Sequence, residues 1–272
     1  MDLKYRKLIS KFKFIHSSAR VLMYNSGYFY CLKKFGSKGY DPKLEDYKNS
    51  KLNKRCFIIG NGPSLCAEDL DKLIDEDTFA ANEIHKIFDK TSWRPTYYMI
   101  LDRYSKTTPE QLAELDCKNV FVGDYYARFN KIVRDDLTIL HQKCFLKKNY
   151  FPVSTDLQKY ITNSPTVSFG EMQLAAFMGY KEIYLLGFDH NYSFEFDQKG
   201  NVISKNSSSA HFFEDEVPSD IIANVYGMTK AYESFKNFCD ANHIVVKNVT
   251  RGGKLEVYDR ADFDSLFSEN NS

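Results

Sequence analysis

Lys54-Arg55-Cys56-Phe57-Ile58-Ile59-Gly60-Asn61-Gly62-Pro63-Ser64-Leu65 decides how this chain is read. The apolar run Cys56–Ile59 carries two β-branched residues and stops at a glycine loop, the signature of a buried parallel strand. Gly60 and Gly62 allow positive φ and close approach of a ligand to the backbone. Pro63 suits the first turn of a helix, and Ser64 can cap or donate. Exposed N–H groups in such a loop favour a phosphate. A tight strand-to-helix turn without a ligand is the other reading of these five residues.

The charge distribution breaks at this same stretch. Residues 1–54 hold 13 Lys and Arg against 4 Asp and Glu, whereas 55–272 hold 24 against 32. The chain therefore divides into a basic extension and linker, 1–54, and an acidic catalytic-sized domain, 55–272. An acidic core argues against a nucleic-acid partner. Hydrophobic residues at 43% and charged residues at 27% are ordinary for a soluble globular protein. The six cysteines show no CxxC pair and no metal spacing, so they read as reduced thiols in a cytoplasmic protein, and no metal ligands are assigned. Charges throughout the N-terminus leave no leader-like apolar segment, and no run of about 18 apolar residues exists.

Beyond the glycine loop, three more short apolar runs end in a polar residue: Thr78–Ala81 at Asn82, Tyr97–Leu101 at Asp102, and Val120–Val122 at Gly123-Asp124. In an open parallel sheet the ligand crevice lies at the carboxyl ends of the strands, so Asn61, Asn82, Asp102 and Asp124 are expected to converge there. Residues 125–165 show no clear period and read as a lid-like insertion. Thr166-Val167-Ser168 opens a helix that Gly179 ends, followed by the strand Glu182–Leu186 and Asp189-His190. Helix, glycine and strand in so few residues form a compact α/β unit. Thr166 and Ser168 would sit at the helix N-terminus, where an anion is favoured. Residues 193–220 are polar and read as a mobile loop carrying His211 beside Phe212 and Phe213. Residues 221–241 form an amphipathic helix, Ile244–Val246 a final strand, and Asn248–Gly253 a further turn.

In the extension, Leu8, Phe12 and Ile15 fall at helical spacing among Lys4, Arg6, Lys7, Lys11 and Lys13. Such a helix either lies on the cytoplasmic face of an anionic membrane, a peripheral contact through residues 1–30, or packs its apolar face on protein.

Ile58–Leu65 and Gly179-Tyr180-Lys181-Glu182-Ile183-Tyr184-Leu185-Leu186-Gly187-Phe188-Asp189-His190 resemble two related groups. One is the DUF115 or MptE-like domain, which includes flagellin-modifying glycosyltransferases; the other is the family 42 sialyltransferases. Gly252–Val257 and Phe263–Phe267 resemble the first group specifically, and the likeness spans 54–267. It implies a Rossmann-like, mostly parallel sheet with helices on both faces. It also implies a nucleotide-sugar donor, a CMP-linked sialic or nonulosonic acid, gripped by Gly60, Asn61, Gly62, Pro63 and Ser64. Asn82 matches a second donor-binding asparagine, and Thr166-Val167-Ser168 partially matches a donor-binding Thr-Ser-Gly. Asp189 ends the donor-site strand, and His211 matches the base, with His190 its rival. Tyr184 and Tyr192 do not fit the family's leaving-group tyrosines.

An inverting transfer needs a base for the acceptor hydroxyl and a group that stabilises the departing phosphate. Loop N–H groups and a hydroxyl meet the second need without a metal, so no cofactor is expected beyond the donor. The acceptor would be a glycan or a lipid-linked sugar of the bacterial surface. The alternative is a pyrophosphokinase moving diphosphate from ATP to a hydroxymethylpterin, which needs Mg²⁺ held by carboxylates such as Asp102 and Asp189. A non-catalytic nucleotide-binding module is a third class, and the sequence leaves homo-oligomerisation open.

Overall fold

The computed structural model describes residues 13–102, 105–130, 132, 134–192, 194–196, 202–204 and 224–268. Strands β1 (Arg55–Ile59), β2 (Thr78–Ala81), β3 (Tyr97–Ile100), β4 (Asn119–Gly123) and β5 (Thr138–Leu140) lie side by side in chain order, each parallel to the next. A separate parallel pair follows, β6 (Gln142–Lys143) with β7 (Ile161–Thr162). The chain then crosses back and lays β8 (Glu182–Leu186) against the other side of β1. An antiparallel hairpin, β9 (Phe194–Phe196) and β10 (Val202–Ser204), precedes β11 (Val245–Asn248), which pairs with β8; β12 (Asp259–Arg260) completes that edge.

Among the described residues the α-helices are α1 (Lys13–Asn25), α2 (Gly27–Phe35), α3 (Leu44–Tyr47), α4 (Ala67–Asp71), α5 (Pro109–Glu114), α6 (Asp124–Phe129), α7 (Val167–Met178) and α8 (Val225–Asn242). Period-two alternation in the strands divides the core between the two faces of the sheet. Ile58, Phe79, Met99 and Phe121 pack with Met172 and Phe177 of α7 and Phe235 of α8. Phe57, Ile59, Tyr98 and Val122 pack on the opposite side with Leu70 of α4, Leu112 of α5 and Ala127 of α6. Because both faces are covered, the strands carry continuous apolar runs. The result is the Rossmann-like α/β architecture implied by the glycine loop and the helix–strand unit.

Within the expected extension and linker, residues 35–54 put fully buried Leu44 into the first of these cores, and Lys51 donates its backbone N–H to Met178 O at 2.8 Å. The 125–165 stretch supplies the sheet's edge strand β5, whose three residues are too few to show a period amid charged neighbours. Part of the expected 193–220 loop is the β9–β10 hairpin.

Helix α7 is buried along nearly its whole length. Its N-cap Thr166 accepts the Ser168 N–H at 3.3 Å, and Gly179 closes it at φ +94°. Gln173, fully buried, accepts from Ser154 N and Thr162 N and donates to Thr162 O and Phe169 O. One amide thereby pins the otherwise irregular 152–162 segment to the helix.

Candidate functional site

Strands β1 to β5 grow outward to one edge, while β8, β11 and β12 grow to the other. The order of connection therefore reverses between β1 and β8, and a doubly wound sheet opens its ligand crevice at that reversal, beyond the carboxyl ends. Both stretches that resemble known families end there.

The two loops interlock through their backbones. Gly60 N donates to Leu186 O at 2.7 Å and Gly62 N to Gly187 O at 3.0 Å. A Cβ on Gly62 would lie 1.9 Å from Asp189 Oδ2 and 2.5 Å from Gly187 O, so only glycine fits. Asp189 Oδ2 accepts Ser64 Oγ–H at 2.8 Å and Ser64 N–H at 3.3 Å, and the Asp189 carbonyl accepts the Lys254 N–H at 2.7 Å. The Asp189 side chain thus shapes the glycine loop. Pro63 stands exposed at its tip.

Asn61 reaches across to β2, donating Nδ2–H to Ala81 O at 3.2 Å, while its buried Oδ1 has no partner among the described residues. Asn82 follows β2 in the left-handed region (φ +54°), accepts from Ser105 Oγ at 3.4 Å, and offers its carbonyl to the Tyr98 hydroxyl. Asn61 and Asn82 therefore border one crevice with the N-terminus of α7. Asp102 stands two strands further along, exposed at the end of β3 and near Tyr24 of α1, whose phenol is pushed up by burial and by that carboxylate.

Asp124 does not join them. Strands lie about 4.8 Å apart, which sets the end of β4 roughly 14 Å from β1. Its carboxylate is sealed under α2, with Oδ2 2.9 Å from His141 Nδ1 and Oδ1 accepting the Gln142 N–H at 3.1 Å. Buried Cys31 brings its sulfur within 4.8 Å of the pair, and burial together with Asp124 pushes its thiol up to about 12. The expectation that four strand-end residues converge is corrected at Asp124, which is sealed away under α2.

Two groups near the start of α7 carry no sequence motif. Glu171, one turn into α7, is 1% exposed, and the Ser168 side chain is the polar group beside its carboxyl. Burial pushes it up from 4.5 to about 8, so it is held protonated at neutral pH. Tyr232 of α8 places its hydroxyl 3.5 Å from Thr166 Oγ1 and its ring 5.9 Å from His190. Burial raises its pKa, and burial with Asp189 pushes Tyr192 up to about 12; both phenols are held as donors. Periodicity alone credits Glu171 and Tyr232 to helix packing.

His190, at φ +52°, places Nε2 3.0 Å from Thr229 Oγ1. The Thr229 hydroxyl donates to Val225 O at 3.0 Å, so it accepts the Nε2 proton and fixes the tautomer. His190 also lines a cleft of about 350 Å³ with Thr229, Glu233, Lys236 and Lys254. His211, the other candidate base, lies outside the described residues. Arg251, in the turn after β11, is bidentate to Asp69 at 2.9 Å and also bonds Asp264.

Residues 32–195, more than half of the chain, match the family described as 6-hydroxymethylpterin diphosphokinase MptE-like. The chain belongs to the MptE-like family. The MptE-like match takes in the glycine loop, α7 and β8, and leaves α8 and β11 outside it. The structure is similar to that of the MAf glycosyltransferase from Magnetospirillum magneticum AMB-1, with a TM-score of 0.50 and 14% identity over 82% of this chain. This chain covers 38% of the length of that one, and the likeness is one of fold. No curated protein matches the sequence. Among the described residues no helix is long and apolar enough to cross a membrane.

Proposed function

We propose that this MptE-like protein is a glycosyltransferase that binds a nucleotide-activated sugar at the β1–β8 crevice, most consistently a CMP-linked nonulosonic acid. The observation that carries the reading is the glycine loop itself, glycine by steric necessity and flanked by the unpartnered Asn61 Oδ1 and the N-terminus of α7. The N-terminus of α7 favours a phosphate, and the Tyr232 hydroxyl beside Thr166 at that helix end is suited to donate to it as it departs. His190 faces a cleft large enough for part of an acceptor, and His190 and His211 remain the two candidates for its base. The fold shared with a MAf glycosyltransferase supports the same class.

The family's description favours a second reading, diphosphate transfer to a hydroxymethylpterin. That chemistry calls for carboxylates grouped around Mg²⁺. Of the described strand-end carboxylates, Asp189 is engaged by Ser64 and Asp124 by His141 and Gln142, and Asp102 ends a strand three places from β8, an arrangement that favours the transferase.

The deciding measurement is thermal stabilisation of the full chain by CMP, CDP, UDP, GDP and ATP, each with and without Mg²⁺. A ligand that binds only the folded state raises the melting temperature. Metal-independent stabilisation by CMP or CDP is the expected result, and Asn61→Ala should remove it. A shift seen only with ATP and Mg²⁺ would overturn the transferase reading in favour of the kinase.

A further inference from the structure

Nine large apolar side chains are exposed among the described residues, and several crowd one corner. Leu22 of α1 and Phe29 of α2 are each 71% exposed, Leu146 is 60% exposed, and Phe129 of α6 is 54% exposed. Sequence separates the first two from the last two by about a hundred residues; tertiary contacts bring them together. Asn25 and Cys144 exchange two hydrogen bonds, Asn25 Nδ2 to Cys144 O at 3.3 Å and Cys144 N to Asn25 Oδ1 at 2.9 Å, which places Leu146 beside the end of α1. Arg128 reaches Met23 O and Ser26 Oγ, both at 2.9 Å, which places Phe129 beside the α1–α2 junction. Exposed apolar residues scattered singly need no explanation, but a clustered group marks an interaction site.

The charge around this corner is predominantly basic, with Asp102 near Tyr24 the exposed acid beside it. Arg20, Lys33, Lys34, Arg128, Lys147 and Lys148 surround it, and neither 13–38 nor 141–150 contains an Asp or Glu. Asp124, the acid of α6, is fully buried. The first twelve residues add Lys4, Arg6, Lys7 and Lys11 in sequence immediately before α1. Leucine and phenylalanine side chains projecting among lysines and arginines suit the headgroup boundary of a bilayer, where rings and methyls enter the acyl region and cations meet lipid phosphates.

We propose that the α1–α2 corner docks this protein onto an anionic lipid bilayer. The occupant follows from charge complementarity: an uncharged apolar groove would not need the cations, and a soluble anion would not need the exposed Leu22 and Phe29. The surface is independent of the β1–β8 crevice, so the proposal stands or falls separately from the function assigned there.

The test is cosedimentation of the full chain with vesicles of phosphatidylcholine alone and of equal parts phosphatidylcholine and phosphatidylglycerol. Binding is expected to the anionic vesicles only, weakening as salt screens the lysines. Leu22→Ser/Phe29→Ser/Leu146→Ser should bind about tenfold more weakly at an unchanged melting temperature. Lys33→Glu/Lys34→Glu, which removes no apolar surface, should weaken it as well. The proposal is overturned if the native chain stays in solution, or if the triple-serine variant sediments as the native protein does. It is equally overturned if the serine substitutions dissociate a dimer, which would make the corner an interface between copies.

Discussion

Glu171 shows how one side chain can oppose the fold around it. A carboxyl buried with a Ser168 hydroxyl rather than a cation beside it remains there by keeping its proton, and burial pushes it from 4.5 to about 8. The folded state therefore holds that proton more tightly than the unfolded chain between those two values. Stability should fall as pH rises through this window, by about 1.4 kcal/mol per pH unit from this one group, and level off above it. Glu171→Gln keeps the shape and does not titrate. Urea midpoints measured from pH 5 to pH 8 should decline less steeply in the variant; parallel profiles would show that Glu171 is not the group responsible. Nothing in the spacing of α7 distinguishes Glu171 from a solvated helix residue, because burial on every side of that helix is set by strands far away in sequence. Gly60, Gly62 and Ser64 were legible, since their chemistry is local: a turn that needs glycine announces itself.

At the scale of elements, the N-terminal helices are attached through polar contacts as well as packing. Gly27 of α2 sits so close to Asp124 that a Cβ there would fall 1.5 Å from its Oδ2, and the same oxygen meets His141. Asp124→Ala would leave the buried His141 ring without this partner, a loss of roughly 1–3 kcal/mol. Hydrogen exchange should then accelerate over residues 13–38 more than over β1 or β8. Uniform acceleration would mean that these helices unfold only with the whole domain. Element reading succeeded where runs were apolar and bounded. Thr78–Ala81 matches β2 residue for residue, and Gly179 ends α7 as expected. It failed at β5 and at the β9–β10 hairpin, whose three-residue strands are shorter than any usable period.

At the scale of the molecule, both hydrophobic cores share a single sheet, so neither face should unfold alone. Trp93, the only tryptophan, is buried in the core opposite the one that holds Phe235. Phe235→Ala should cost about 3–5 kcal/mol through the cavity it leaves. The fall in melting temperature should be the same by Trp93 fluorescence as by far-ultraviolet circular dichroism. A tryptophan signal that melts later than the helices would show that the two faces are uncoupled. The sequence by itself determined the parallel α/β class, the glycine loop and the helix–strand unit that closes on Asp189, because each is written in neighbouring residues: apolar run, glycine, polar cap. Only the tertiary structure decided which strands flank β1, and with that order, which polar residues share a crevice. Strand order is set by where each crossover finds an uncovered apolar face, a property of the assembled sheet. The same order places Asn61 and Asn82 together, carries Asp124 away under α2, and gathers Leu22, Phe29, Phe129 and Leu146 at one basic corner.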